Sequence, residues 1–188
     1  MKLKYSIKIP NDIHVFYSEK KNILLLKGPL TKKSIKLKIK IIISKKNKLI
    51  ILTTIPCVRV AKNEIKKLIA IRGSTLMLIK ILISETRNII YKRLKIVGVG
   101  YRGFQVEKYE KQLLLFKFGY SHPIYFKIPK NLGVFCLKFT KLFIYGNSYQ
   151  NINLTASILK KNRLPEPYKG KGILYENEKI TIKQGKKI

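Results

Sequence analysis

Apolar and polar residues take turns along this chain, and the period of the alternation changes as it proceeds. Leu3, Tyr5, Ile7 and Ile9 recur at every second position, and Ile13, Val15 and Tyr17 resume the pattern after Pro10-Asn11-Asp12. Period two sends successive side chains to opposite faces, so both stretches read as half-buried strands with a turn between them. Ile23-Leu24-Leu25-Leu26 is a short apolar strand ending at Gly28-Pro29. Ile35, Leu37, Ile39 and Ile41 alternate with Lys36, Lys38 and Lys40, which predicts a strand with a row of lysines on one face, either solvated or turned toward phosphate. Leu49 to Ile55 reads as a further strand. The period then lengthens. Ile65, Leu68, Ile69, Leu76, Ile79 and Ile83 predict a helix over 62–85, with a break and a fresh N-cap expected at Arg72-Gly73-Ser74-Thr75.

A second run of elements begins at Ile89. Leu94, Ile96, Val97 and Val99 form a strand into Gly100-Tyr101-Arg102-Gly103, and Phe104 to Lys108 continues extended to a turn at Tyr109-Glu110-Lys111. Leu113 to Phe118 is a strand, Gly119-Tyr120-Ser121-His122-Pro123 a turn, and Ile124, Phe126 and Ile128 alternate again. Val134 to Ile144 reads as two short strands, residues 148–161 as a helix with Ser148 as N-cap, and Ile173 to Ile182 as a last extended segment. The stretch from Asn22 to Leu37 aligns without gaps on Gln112 to Lys127, strand–turn–strand in both, and a helix follows later in each half. The chain therefore reads as α+β: two tandem similar domains, residues 1–88 and 89–188, each an antiparallel β-sheet packed against one helix.

Charge changes this picture. The 188 residues hold 41 Lys and Arg against 9 Asp and Glu, a formal net charge of +32. Positions 1–89 carry 21 basic and 4 acidic residues and positions 90–188 carry 20 and 5, so the excess runs through both halves. A compact body with that charge repels itself unless polyanions surround it. Charge spread over a whole fold, rather than gathered in a tail, points to a protein embedded in nucleic acid. No membrane span is expected: the longest uncharged stretch, Leu142 to Leu159, is interrupted by Gly146, Asn147, Ser148, Gln150, Asn151, Asn153 and Thr155. Met1 to Pro10 has neither the apolar region of a signal peptide nor the Arg- and Ser-rich character of a transit peptide.

Candidate chemistry is sparse. Gly98-Val99-Gly100-Tyr101-Arg102-Gly103 matches the dinucleotide fingerprint, but an extended segment follows it and no acidic residue lies between Glu110 and Glu166, so glycines at a strand bend are the better reading. Lys169-Gly170-Lys171 lacks the upstream glycine and the following Ser or Thr of a Walker loop. His14 and His122 have no partners at metal-ligand spacing. Cys57 and Cys136 read as two buried free thiols. Glu107, Glu110, Glu176 and Glu178 read as charge balance. No catalytic, cofactor-binding or metal-binding set emerges, and a non-enzymatic role is expected.

The stretch from Arg163 to Ile173 stands apart. Pro165 and Pro167 stiffen it, Gly170 and Gly172 free the backbone to turn, and Arg163, Lys169 and Lys171 stand around the flat ring of Tyr168. A rigid basic loop with an aromatic face suits a phosphate backbone. Together with Lys95-Ile-Val-Gly-Val-Gly-Tyr-Arg, Phe118-Gly-Tyr-Ser-His-Pro-Ile, Pro165-Glu-Pro-Tyr-Lys-Gly-Lys-Gly-Ile and Lys183-Gln-Gly-Lys-Lys, it resembles the universal large-subunit ribosomal protein six family in its bacterial or organellar form. Ile7-Lys-Ile-Pro and Lys27-Gly-Pro resemble the family's first domain. The resemblance implies two tandem α+β domains and a structural, non-enzymatic role in the large ribosomal subunit. It implies binding to large-subunit rRNA near the sarcin–ricin loop and the factor-binding region, mainly through the second domain, with neighbouring large-subunit proteins and translation factors close by. The rRNA contacts it implies are Arg163, Tyr168, Lys169, Lys171, Lys183, Lys186 and Lys187, with Ser121 and His122 beside them.

Heavy use of Lys, Ile, Asn, Tyr and Phe is what an AT-rich genome produces. With no transit peptide expected, it points to an organelle-encoded chain, the mitochondrion first and the plastid next, with an AT-rich bacterium as the alternative. A free nucleic-acid-binding regulator would carry a reading helix or an aromatic platform, and neither is legible in the order of residues. An RNA-modifying enzyme would need a cofactor loop or an acid/base pair.

Overall fold

The computed structural model describes residues 5–44, 46–56, 65–106 and 112–185. Cys57, positions 62–64 of the expected first helix, Glu107, the expected turn at 109–111, Lys186 and Lys187 lie outside them. The class is α+β, and the chain divides into two compact units, Met1–Asn88 and Ile89–Ile188.

In the first unit the strands are β1 (Ser6–Lys8), β2 (His14–Ser18), β3 (Ile23–Lys27), β4 (Lys32–Lys36), β5 (Ile39–Ser44) and β6 (Leu49–Pro56), followed by helix α1 (Ile65–Arg87). They form two antiparallel three-stranded sheets, β1-β6-β5 and β2-β3-β4, rather than the single sheet expected. The alternation at 35–41 is real, with Leu37, Ile39 and Ile41 buried and Lys36, Lys38 and Lys40 exposed. It nevertheless crosses from one sheet to the other between β4 and β5, so the lysine row is not one strand face. Leu24, Leu26, Ile50, Leu52 and Ile79 close the core.

Helix α1 runs straight through the expected break. Ser74 Oγ and Thr75 Oγ donate back to the carbonyls of Ile71 and Arg72 instead of capping a new helix. The Arg72 guanidinium donates to Leu52 O at 2.8 Å and lies 3.9 Å from the centre of the Tyr5 ring. Tertiary anchoring at this turn outweighs the roughly 1 kcal/mol that a helical glycine costs.

The second unit repeats the plan with β7 (Ile90–Val97), β8 (Arg102–Val106), β9 (Leu113–Lys117), β10 (Ile124–Lys127), β11 (Leu132–Lys138), β12 (Lys141–Gly146) and helix α2 (Tyr149–Asn162), and then adds β13 (Gly172–Tyr175). Its sheets are β10-β9-β8 and β11-β12-β7-β13, all antiparallel. Ile152, Ala156 and Leu159 of α2 pack on Leu94, Leu142, Ile144 and Ile173 in one core with Phe116 and Phe118. Ser148 occupies the N-cap with extended backbone, but its side chain makes no capping hydrogen bond.

The ungapped alignment of the two halves needs one correction. Lys36 stands opposite Ile23, whereas Lys127 stands opposite Leu113, so the second hairpin is one residue longer in its turn. The last extended segment also stops early. The Glu178 backbone N–H donates to Tyr175 O, and the Glu178 carboxylate accepts from the Tyr175 N–H at 3.1 Å, which turns the chain off the sheet. Cys136 is a free thiol but only partly buried. Its burial still pushes the thiol up to about 11.

Candidate nucleic-acid interface

The loop between α2 and β13 is closed by its own backbone. Arg163, the C-cap, is extended and ends the helix. Its carbonyl accepts from the Ile173 N–H at 2.9 Å, which brings the two ends of the loop together. Within it, the Glu166 N–H donates to Lys171 O and the Gly170 N–H to Glu166 O, both at 2.9 Å. Gly170 has φ +68°, a conformation that L side chains rarely adopt. Gly172 is required twice over: its φ is +148°, and a Cβ there would lie 2.7 Å from Leu164 O and from Pro165 Cα. The tail returns to the same place, since the Lys183 N–H donates to Pro167 O at 2.9 Å. Tyr168 and Lys169 are exposed and Lys171 partly so, and neither lysine meets a carboxylate among the described residues.

A second turn meets this loop through Arg163. The Arg163 guanidinium lies 4.8 Å from the centre of the Tyr120 ring and 5.9 Å from that of Tyr101. A hydrogen bond with Tyr120 holds its pKa above the ordinary range, helped by Tyr101 and opposed by desolvation. Tyr120 in turn donates to Asn162 O at 3.3 Å and stacks on His122 with ring centres 6.0 Å apart. Ser121 and His122 are exposed at the tip of that turn. Of the expected contacts, the fold thus gathers Arg163 with the Ser121–His122 turn, and ties Lys183 by its backbone to the loop bearing Tyr168, Lys169 and Lys171. Lys186 and Lys187 lie outside the described residues.

From the sequence the supports read only as glycines at a strand bend and in a turn, not as part of the site. Gly98, Gly100 and Gly119 all have positive φ. A Cβ on Gly98 would lie 2.5 Å from the Tyr101 ring, and one on Gly119 would lie 3.2 Å from it. The glycine motif at 98–103 therefore builds the seat of Tyr101, the buried one of the two rings that hold Arg163. A tyrosine flanked by glycines in a discarded motif was the available signal.

The tail is fixed beyond β13 by two acids. Glu176 pairs with Arg93 at 3.3 Å and Glu178 with Lys160. That pairing, against some desolvation, lowers the Glu178 pKa below the ordinary carboxylate value. Among the described residues no three His, Cys, Asp or Glu side chains are grouped to hold a metal ion, and no helix is long and apolar enough to cross a membrane.

The sequence model described as Ribosomal protein L6 matches residues 97–176, a span that contains the glycine motif, the 119–123 turn and the whole loop. The large ribosomal subunit protein uL6 of Mycoplasmoides gallisepticum is 37% identical over 182 residues, covering 96% of this chain and 92% of that protein. This chain belongs to the ribosomal protein L6 family. The uL6 protein of Mycoplasma pneumoniae is 42% identical over 124 residues, covering 66% of this chain and 65% of that protein. That of Nitrosococcus oceani is 35% identical over 127 residues, covering 68% and 69%. As a member of this family the chain is not an enzyme.

Proposed function

We propose that this protein is a structural constituent of the large ribosomal subunit, held on large-subunit rRNA chiefly by its second unit. Lys169, Lys171 and Lys183 neutralise phosphates, Tyr168 offers a stacking face, and Arg163 locks the Ser121–His122 turn against the loop so that both meet the RNA as one surface. Lys186 and Lys187 extend the basic tail. The setting near the sarcin–ricin loop and the factor-binding region, with translation factors and other large-subunit proteins as neighbours, is the family resemblance carried onto this chain. The mitochondrial ribosome rests on composition alone, while the relatives named above are bacterial.

One observation carries the reading: the loop is closed by three backbone hydrogen bonds and stiffened by prolines, yet among the described residues its lysines meet no carboxylate. A loop already ordered loses little entropy on binding. Lys169→Ala with Lys171→Ala is therefore expected to reduce co-sedimentation with large subunits while changing stability by no more than roughly 0.5 kcal/mol per site. Wild-type affinity for rRNA should fall with salt, with a slope of roughly −0.7 to −0.9 in log K per phosphate neutralised. A thermal collapse of the double variant, or a flat salt response, contradicts the reading.

A further inference from the structure

The outward face of the sheet β11-β12-β7-β13 carries aromatic rings where a solvent-facing sheet surface ordinarily carries polar groups. Tyr145 stands opposite Tyr91 on one side and Gly133 on the other, and Phe143 stands between Arg93 and Phe135. Residues directly opposite share a face, so these side chains form one surface. Their inward neighbours, Leu94, Leu142, Ile144 and Val134, make the core beneath it. Tyr91 and Phe143 stack with centres 5.1 Å apart, as do Phe135 and Tyr145, and Phe143 lies 6.2 Å from Tyr145. Gly133 makes room for this arrangement: a Cβ there would lie 2.1 Å from the Tyr145 ring. Tyr91 and Phe135 remain 56% and 50% exposed, so both rings stay accessible to a partner.

The charges on the same face say what covers it. The Arg93 guanidinium lies 5.4 Å from the centre of Tyr91 and 5.8 Å from that of Phe143. Lys95 and Lys141 stand opposite each other two positions further along, and Lys138 faces Lys141 on the next strand. Lysine is depleted from protein–protein interfaces, whereas flat rings rimmed by cations are the surface on which unpaired bases stack and phosphates are neutralised.

We propose that this face is a second RNA-binding surface, on which unpaired nucleotides of ribosomal RNA stack against Tyr91, Phe135, Phe143 and Tyr145 while Lys95, Lys138 and Lys141 hold the phosphates and Arg93, paired with Glu176, flanks the rings. It is separate from the loop at 163–173, whose proposed contacts are the phosphates met by Lys169 and Lys171 and the face of Tyr168.

The test measures binding of the full chain to a short oligouridylate and to an abasic strand of the same length and charge, by fluorescence anisotropy. The base-bearing strand is expected to bind more tightly by about fivefold or more for each base engaged. Tyr91→Leu with Phe135→Leu keeps the apolar area and removes two rings, and should bring the base-bearing strand down toward the abasic one. Tyr91→Phe with Phe135→Tyr should keep the preference, with circular dichroism showing that both double variants are folded. Equal affinity of the wild-type chain for the two strands overturns the proposal. So does a base preference that survives the leucine variant. Self-association lost in the leucine variant, without any base preference, would mark a protein-docking face instead. Tyr168 is the exposed ring of the loop, so Tyr168→Leu is measured beside these variants. It should leave most of the base preference in place, which makes failure of the loop and failure of this surface distinguishable. A preference lost with Tyr168 alone overturns the proposal.

Discussion

The two units share a strand order and differ in what is attached to it. Sheets β5-β6-β1 and β11-β12-β7 correspond strand for strand, as do β2-β3-β4 and β8-β9-β10, and each unit has one helix after its sixth strand. The hairpin turn meets the helix C-terminus in both. In the first unit the contact is backbone to backbone: the Leu30 N–H donates to Thr86 O at 3.2 Å, and a Cβ on Gly28 would lie 2.4 Å from that oxygen. Lys33 and buried Glu85, 2.7 Å apart, seal it. In the second unit the turn is one residue longer and reaches the helix end through Tyr120 and Arg163. There the chain continues into a loop and an extra strand, β13, on the edge of β7. The outward sheet faces differ as well: Ile42, Ile51 and Ser6 in the first unit stand where the second has Phe135, Phe143 and Arg93. The shared fold requires none of these additions. In the proposed function, recognition is built from what the second unit adds to it.

The largest effects should come from the two glycines that seat these contrasting helix ends. Gly28→Ala drives a Cβ into Thr86, and Gly172→Ala drives one into Leu164 and Pro165 from a strained φ. Each should cost roughly 2–4 kcal/mol. Hydrogen exchange should show Gly28→Ala loosening only strands β2 to β4 and α1, and Gly172→Ala only β13 and its loop. Loss of protection across both units from either substitution breaks the comparison.

Arginine substitutions sharpen it. Arg72→Ala removes the anchor of α1 to Leu52 and Tyr5 and should lower stability by about 1–2 kcal/mol with no change in RNA preference. Arg163→Ala should cost less stability than Arg72→Ala and should weaken rRNA affinity by roughly tenfold as the turn and loop lose register. Calorimetry beside filter binding reads both. A matched loss of affinity in the two variants contradicts the account.

The smallest effect is acidic. The Glu178 pKa is lowered in the folded state by Lys160 and by the Tyr175 N–H, so the group contributes stability at neutral pH. That contribution is lost as pH falls below the ordinary 4.5 through the folded value. Glu178→Gln should flatten this acid limb in the second unit by less than about 1 kcal/mol, followed by denaturant melts at stepped pH. An unchanged limb removes Glu178 from the account.

What was legible follows the range of the interaction. The alternation at 35–41 gave the buried and exposed residues correctly because burial on a strand is local in sequence. Splitting that stretch between two sheets depends on strand partners, which the stretch itself does not encode. The break at Gly73 was misread because Arg72 bonds to Leu52, twenty positions away. The loop at 163–173 was visible because its prolines, glycines and lysines are contiguous. Tyr101 beneath Arg163, and the rings of Tyr91, Phe135, Phe143 and Tyr145, were not. They come together only through strand register, and a ring alternating with Lys, Arg or Leu looks like any core position until the register shows which face it takes.

The most direct measurement is a competition assay with fragments 1–88 and 89–188, each challenged with cognate large-subunit rRNA and a length-matched unrelated RNA at physiological salt. The two halves carry nearly equal charge excess, so Coulombic attraction alone predicts equal behaviour. The account predicts that 89–188 folds and keeps most of the discrimination, that 1–88 binds weakly and without preference, and that Lys169→Ala with Lys171→Ala removes the preference from 89–188. Equal discrimination by the two halves would contradict it.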